Sequence, residues 1–536
     1  FQLRDARLHF VGVGGSGMSG LARMAASRGA ICTGSDLNDS DAIADLRAAG
    51  VAVTLEQNAD SLPGECDIVV VSAAIGQDHP EVVAALERNI RIVKYAQMLG
   101  RLMHNRTGVA IAGTHGKSST TSMLCHVLLA TQRDPSFIIG ARCEQLAGGS
   151  RAGDSDILVA EACEYDRSFH NYHPRHGVIL NIEEDHLDYY AGLEAIVESF
   201  ATFARQVQPD GSLLMQHESP HRLAVTAGLD CKIESIGFAP QADWQVDKQN
   251  GDTLLKHQRQ IVAQWRSPLP GEHMAYNAAV AVVTAHRLGV PWEDAAGAIA
   301  NFRGLDRRMQ KLGAMKGVAD VTIIDDYGHH PTEVETTLRA LRAHYQPERL
   351  ICVFQPHQHS RTQFLMEQFA VSFGEADIVI VPHIYFVRDS ERERQAVRAD
   401  DRAPFERAYE AWHRRKRDEA RARREQLMEA LVRAERERER RIDDRRAALR
   451  ERRRRVEREK RALARAQAQH RKKQRVRRTL RPPIQSGLPA VLDEPCVAVA
   501  PEVKKTDARV RAFEAVFLPK IVSRANNQGR LERRSL

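Results

Sequence analysis

The stretch with the most chemistry in it is Ala112-Gly113-Thr114-His115-Gly116-Lys117-Ser118-Ser119-Thr120. An apolar run, 109–112, reads as a short buried strand before it, and 121–129 reads as a helix after it. Strand, glycine loop and helix form the setting of a phosphate-binding loop. The glycines let backbone N–H groups turn toward an anion, and the helix N-terminus adds partial positive charge. Read this way, Gly113, Thr114, His115, Gly116, Lys117, Ser118 and Ser119 cradle a nucleotide's phosphates. Lys117 reaches the outer phosphates and the Ser118 hydroxyl faces a Mg²⁺ ion. The two glycines are three residues apart, closer than in the common phosphate loop. The plainer alternative is a glycine turn ahead of an ordinary helix.

Other strand ends carry similar chemistry. The run 8–11 reads as a strand entering Gly12-Val13-Gly14-Gly15-Ser16-Gly17-Met18-Ser19-Gly20, with a helix behind it and a second strand ending at Asp36. That is a Rossmann-like βαβ unit. The glycines say that a pyrophosphate can approach the backbone, not whose pyrophosphate it is; a dinucleotide is the simplest guess. A further strand, 67–71, ends at Ser72 in the same crevice. A second α/β region follows, where strand 156–160 delivers Glu161-Ala162-Cys163-Glu164-Tyr165 and strand 177–182 delivers Glu183-Glu184-Asp185-His186. Carboxylate plus imidazole can complete the shell of a phosphate-bridging Mg²⁺. Polar residues gather again at His273 and Asn277, at Arg307-Arg308, at Asp325-Asp326-Tyr327-Gly328-His329-His330, and at His357 to Arg361. The last two clusters each follow a strand of a third, smaller parallel α/β unit.

The elements that must hold these residues are bounded by bulk properties. A chain of 536 residues with 43% hydrophobic content allows three or four domains with real cores. Eight scattered cysteines, with no C-x-x-C pair, fit a reducing cytoplasm and argue against a disulfide framework or zinc site. No signal peptide and no apolar run of membrane-spanning length is evident. The net charge of +8 conceals a split. Residues 401–480 carry 31 Lys and Arg against 15 Asp and Glu, while residues 1–400 carry 37 against 49. An acidic body bears a basic tail.

Six ordered strings make the chain resemble the Mur ligase family over about residues 7–400: G-x-G-G-x-G-M-S-G at 12–20, A-G-T-H-G-K-S at 112–118, E-A-C-E-Y at 161–165, N-I-E-x-D-H at 181–186, D-D-Y-G-H-H-P-T-E at 325–333 and F-Q-P-H-x-x-S-R-T at 354–362. The first and fifth are similar to the member that adds L-alanine. The resemblance implies a three-domain α/β architecture. A Rossmann-like UDP-sugar domain spans 1–106, a central P-loop-type ATP domain 107–304, and a partial Rossmann-like C-terminal domain 305–400. It implies an ATP- and Mg²⁺-dependent ligase, cytoplasmic, that joins L-alanine to the carboxylate of UDP-N-acetylmuramate through an acyl phosphate. By resemblance, Gly12, Gly14, Gly15, Ser16, Asp36 and Ser72 contact the UDP moiety. Lys117 holds the β,γ-phosphates, Ser118, Glu161 and His186 bind metal, Asn277 faces adenine with His273 near the nucleotide, and Arg307 reaches toward the phosphates. Tyr327, His329, His330, His357 and Arg361 shape the L-alanine side, with Arg361 on the amino-acid carboxylate. Lys117, Glu161, His186, His330 and Arg361 form the expected catalytic set.

The pattern stops near Asp401. From Phe405 to Leu480 there is no Gly or Pro, so 401–481 reads as one long charged helix or coiled coil, held by Glu–Arg neighbours at i,i+4. Its basic end, 471–478, is a candidate contact for nucleic acid or an anionic surface, with a solvated charge run as the plain alternative. Residues 482–536 read as an irregular tail. Two other readings stay open: a catalytically impaired, ligase-derived UDP-sugar or nucleotide-binding protein with a basic interaction tail, and a ligase that takes glycine or serine.

Overall fold

The computed structural model describes residues 3–104, 106–314, 321–382 and 384, and then 414, 421, 429, 433, 436, 440, 447, 448, 451, 452 and 454–472. The chain divides into two compact units, Phe1–Glu425 and Gln426–Leu536, which are taken separately.

In the first unit, β1 (Arg7–Val11), β2 (Ile31–Ser35), β3 (Ala52–Thr54), β4 (Ile68–Val71) and β5 (Arg91–Lys94) make an all-parallel sheet in the order β3-β2-β1-β4-β5. Chain order reverses between β1 and β4, and a ligand crevice opens beyond strand ends at such a point. Val11 pairs with Val71 there, so the glycine loop after β1 and Ser72 after β4 flank one crevice. The strands are short apolar runs because both faces are covered: Leu8, Phe10, Val11, Val69 and Val70 are all buried. His9 and Ser35 are polar exceptions, and both are satisfied. His9 Nε2 lies 2.6 Å from Glu81 Oε2 and His9 Nδ1 2.8 Å from Thr33 Oγ1, while the Ser35 hydroxyl donates to Glu81 Oε1 at 2.7 Å.

The larger sheet contains β6 (Thr107–Ala112), β7 (Ser136–Cys143), β8 (Gly148–Arg151), β9 (Ile157–Ala162), β10 (His176–Ile179), β11 (Ser212–Gln216), β12 (Lys232–Gly237), β13 (Trp244–Gln249), β14 (Asp252–His257) and β15 (Gln260–Trp265). Its order is β15-β14-β13-β12-β11-β10-β6-β9-β7-β8. Pairing is parallel from β13 through β7 and antiparallel at β8, β14 and β15. β6 sits between β10 and β9, with Ala112 level with both Ile179 and Ala162. The phosphate loop, Glu161 and the 180–186 segment therefore lie together at the C-terminal ends of three adjacent strands.

Beyond residue 305, β16 (Gln310–Ala314) pairs antiparallel with β17 (Thr322–Asp325), and β18 (Ile351–Val353) pairs parallel with β19 (Ile378–Ile380). The strand at 322–324, expected to join one parallel unit with the next two, instead closes a hairpin, so among the described residues the parallel pairing there is confined to β18 and β19. This region has a small core of its own, with Val334, Leu338, Phe354, Phe369 and Phe373. The larger cores cross the sheets: Leu8 and Phe10 share one cluster with Ala110, Phe169 and Phe200. Another joins Val109 and Tyr276 to Leu305, Met309 and Leu341.

In the second unit the described residues are helical, without a break from 454 to 472, and carry the expected i,i+4 pairs Arg433–Glu429, Arg455–Glu459 and Arg461–Glu457. Most of the basic 471–478 end and the whole 482–536 tail lie outside the described residues. The seven described cysteines are free. No described helix is long and apolar enough to cross a membrane.

Helix Tyr95–His104 packs its Gly100 against the 165–171 turn so closely that a Cβ would lie 2.0 Å from the Asn171 carbonyl oxygen. Backbone cannot swing aside as a side chain can. Gly100→Ala is expected to destabilise the first unit by about 1–3 kcal/mol, read as a lower urea midpoint; an unchanged midpoint would contradict this packing.

Candidate functional site

Gly116, at φ 84°, turns the chain from the loop into helix Lys117–Ala130. A Cβ on Gly116 would lie 2.9 Å from Asn277 Oδ1, so the loop and helix Glu272–Arg287 meet without room for a side chain. The Lys117 ammonium folds back under its own loop. It donates to the Gly113 carbonyl, to the Thr114 carbonyl at 3.1 Å, and to Glu164 Oε1 and Oε2 at 3.0 and 2.9 Å. Burial alone would depress this amine; the Glu164 carboxylate outweighs it, and the pKa is raised.

Glu161, at the end of β9, accepts the Gly140 N–H at 2.8 Å, with the Ser118 side chain near its carboxylate. Burial holds its carboxyl above the ordinary range. A buried carboxylate beside a hydroxyl is a hard-oxygen pair of the kind Mg²⁺ takes. His186, with φ 53°, stands a little apart: its Nε2 is 3.8 Å from Glu164 Oε1 and 3.7 Å from Asp185 Oδ2, and its ring packs on Tyr165.

His115 is clamped more tightly than its sequence position suggests. Asn181 holds its backbone from both sides, accepting the His115 N–H at 2.7 Å and donating to its carbonyl at 3.1 Å. The ring lies between two carboxylates, with Nδ1 3.2 Å from Glu333 Oε1 and Nε2 3.4 Å from Glu183 Oε2. Burial would hold the imidazole down; Glu183 and Glu333 override it and push it up to about 9. Glu183 is correspondingly held down to about 2 by the same pairing, working against its own burial. His115, Glu183 and His330 bring ligand atoms within 4.8 Å of one another, but His330 has both nitrogens in use. Its Nε2–H donates to the Glu184 carbonyl at 3.0 Å and its Nδ1 accepts the Thr332 N–H at 3.3 Å, capping helix Pro331–Tyr345.

The remaining expected residues divide into two groups. Tyr327, His329 and His357 gather as one aromatic cluster with ring centroids 5.1–6.3 Å apart. Arg307 and Arg308 sit on the Tyr327 ring, at 4.6 and 5.5 Å. His329 donates from Nδ1 to the Tyr327 carbonyl, and burial keeps both His329 and His330 below the usual imidazole range. Arg361 is committed to protein: Nε and Nη2 lie 3.0 and 2.9 Å from Asp185 Oδ1, with both side chains buried. Asp36 is likewise turned inward, accepting the Gly14 N–H at 2.8 Å. A Cβ on Gly14 would meet that carboxylate at 2.9 Å, so a side chain there would push Asp36 aside. Gly12 bends at φ 72°, Gly15 caps the helix that begins at Ser16, and Ser72 Oγ accepts the Ala74 N–H.

A cavity of about 320 Å³ adjoins the loop, lined among others by Gly116, Ser119, Phe238, His273, Tyr276 and Asn277 from the larger sheet and by Arg308 and Thr337 from the region beyond it. Burial pulls His273 down to about 4, so a neutral imidazole faces this space. An opening of that size with an amide and aromatic walls suits a nucleobase. Sequence reasoning missed Glu164, Asn181, Glu183, Asp185, Arg308 and Glu333. All stand inside or beside the strings that were noticed; what was hidden is that each is the partner of an expected residue.

Three family models match the chain: "Mur ligase family, catalytic domain" over 7–107, "Mur ligase middle domain" over 111–285, and "Mur ligase, glutamate ligase domain" over 307–464. The UDP-N-acetylmuramate–L-alanine ligase of Caldanaerobacter subterraneus is 37% identical over 392 residues, 72% of this chain and 84% of that protein. The same-named ligase of Agathobacter rectalis is 38% identical over 393 residues, 72% and 85% of the two chains. Among solved structures, the UDP-N-acetylmuramate-alanine ligase of Thermotoga maritima superposes with a TM-score of 0.58 at 25% identity, over 71% of this chain and 85% of that one. A murein peptide ligase from Psychrobacter arcticus gives 0.56 at 27% identity, over 70% and 84%.

The His115 pairing has a pH signature. A group raised from about 6.5 unfolded to about 9 folded contributes stability that is fully present below pH 6.5 and is lost as pH rises through 9. Its contribution at neutral pH is about 2–3 kcal/mol. Urea unfolding is expected to show the parent chain losing about that much more than His115→Gln between pH 7 and a pH above 9; equal losses would contradict the pairing.

Proposed function

The chain belongs to the Mur ligase family, and from that premise we propose that it is an ATP-dependent ligase joining L-alanine to the carboxylate of UDP-N-acetylmuramate in peptidoglycan precursor synthesis. The observation that carries the substrate pair is the similarity to ligases of that name along 72% of the chain. The loop around Lys117 and the cavity beside Asn277 support the ATP half. Both nucleotide substrates belong to the cytoplasm, which supports that location.

The UDP moiety binds in the crevice between β1 and β4, against Gly12, Gly14, Gly15 and Ser16, with Asp36 and Ser72 at its sides. ATP lies on the 113–119 backbone amides, its base toward Asn277 and His273. Lys117 and Arg307 meet the phosphates; Lys117 already holds two carbonyls and Glu164 and must turn part of that capacity to phosphate oxygens. Ser118 and Glu161 would hold Mg²⁺, with His186 as a further ligand. When bound, that ion offsets the repulsion between the sugar carboxylate and the γ-phosphoryl group.

The carboxylate oxygen attacks the γ-phosphorus and the bond to ADP breaks, leaving an acyl phosphate. The amine of L-alanine attacks the acyl carbon, and inorganic phosphate departs as the tetrahedral intermediate collapses to the amide. The amine must shed protons on the way. His329 and His330 are neutral at pH 7, and His329 has its Nδ1–H on the Tyr327 carbonyl, which leaves its Nε2 lone pair to accept one. Arg361 would steer the amino-acid carboxylate with the donors Asp185 does not occupy, beside Tyr327 and His357.

Phosphate release from ATP is expected to require both UDP-N-acetylmuramate and L-alanine, with glycine and serine slower. It is expected to fall by roughly 10²–10³ or more in Lys117→Ala. Release that ignores either substrate, or an active Lys117→Ala, would overturn the reading.

A further inference from the structure

One carboxylate ties the phosphate loop to the histidine-bearing turn beyond β17. Glu333 lies in the first turn of helix Pro331–Tyr345, but it does not cap that helix; His330 does. Its Oε1 is 3.2 Å from His115 Nδ1 and 3.3 Å from Arg308 Nη1, and its Oε2 accepts the His329 N–H at 3.0 Å. It is mostly enclosed, with 11% of its side chain exposed. Glu183, after β10, closes the other side: its Oε2 is 3.4 Å from His115 Nε2 and accepts the Thr332 hydroxyl at 2.6 Å. An imidazole between two carboxylates is favoured as the cation: its Nδ1–H donates to Glu333, while its Nε2 faces Glu183 as an ion pair without a hydrogen bond. The phosphate loop thus presents a cation that two segments grip at once, one from the larger sheet and one from the 305–380 region.

We propose that Glu333 is a positioning residue of the ligase reaction: by gripping His115 and the His329 backbone together, it fixes the phosphate loop against the turn that receives the amine. The proposal rests on the ligase reading above. It assigns Glu333 no contact with the reacting atoms. Its effect belongs to the step in which both substrates share one closed site, so it bears on kcat rather than on affinity for the UDP-sugar, which binds in the crevice of the first sheet.

The test is a double-mutant cycle on the full chain, read as ATP-dependent addition of L-alanine to UDP-N-acetylmuramate. Glu333→Gln keeps the size and the acceptor for the His329 N–H but loses the charge. It is expected to lower kcat by about tenfold or more, with KM for UDP-N-acetylmuramate unchanged. His115→Gln is expected to do the same, and the double variant to be no slower than about threefold below the worse single one. Glu335→Gln, which breaks an exposed pair with Arg339 on the same helix, is expected to leave the rate alone. If the two effects multiply, or if Glu333→Gln changes only the KM for UDP-N-acetylmuramate, the proposal is overturned. If Glu333→Gln fails to fold by circular dichroism, Glu333→Asp takes its place and must show the same coupling. A parent chain that ligates nothing would defeat the ligase reading; an active parent with an additive cycle defeats only this one.

Discussion

A buried ammonium needs acceptors on every side, and the site is arranged around how Lys117 finds them. Two of its acceptors are carbonyls of its own loop and two are the oxygens of Glu164, which lies beyond the end of β9. An unpaired charge in that position would be expensive. The pairing therefore fixes the loop against β9, and the loop's glycines let it come that close. Once the loop is fixed there, Ser118 reaches Glu161 and Gly116 meets Asn277 without a side chain between them. The cavity lined by Gly116 and Asn277 is the space left beside that arrangement.

The same solution recurs outward. Each cationic side chain from one strand end is taken by a carboxylate from another: His115 by Glu183 and Glu333, Arg361 by Asp185, Arg308 by Glu333. Two of these pairs, His115–Glu333 and Arg361–Asp185, cross from the larger sheet to the region beyond residue 305, so the two regions are tied together by charges held in protein. In the proposed reaction the phosphates of ATP compete with Glu164 for Lys117, so the site would exchange an ion pair as it fills and would not have to desolvate a bare charge.

What could be read from the sequence was local. Glycine spacing, apolar runs of strand length and polar clusters at their ends located the first sheet, the phosphate loop and six of the strings that line the site, because a loop's conformation is written in its own residues. The partners of those residues were not legible. Nothing in the spacing of 181–186 says that Asp185 will take Arg361, 176 positions on, or that Glu333 will reach His115 across 218. Asp36 and Arg361 read as free to meet substrate because their protein partners are remote in sequence or, for Asp36, a backbone amide. The hairpin of β16 and β17 was missed for a related reason: a short isolated run, Thr322-Ile323-Ile324, carries no mark of the direction in which it will pair. The described part of the charged segment, helical from 454 to 472, could be read as helix from composition alone, since i,i+4 pairs are also local.

The central claim is that this chain activates a sugar carboxylate by phosphoryl transfer and then replaces that phosphate with an amine. UDP-N-acetylmuramate carrying oxygen-18 in its carboxylate tests it directly, when supplied with ATP and L-alanine and followed by mass spectrometry of the inorganic phosphate released. The account predicts one labelled oxygen in the phosphate for each amide formed, because the attacking carboxylate oxygen leaves with the phosphoryl group. Amide formation with unlabelled phosphate would contradict it.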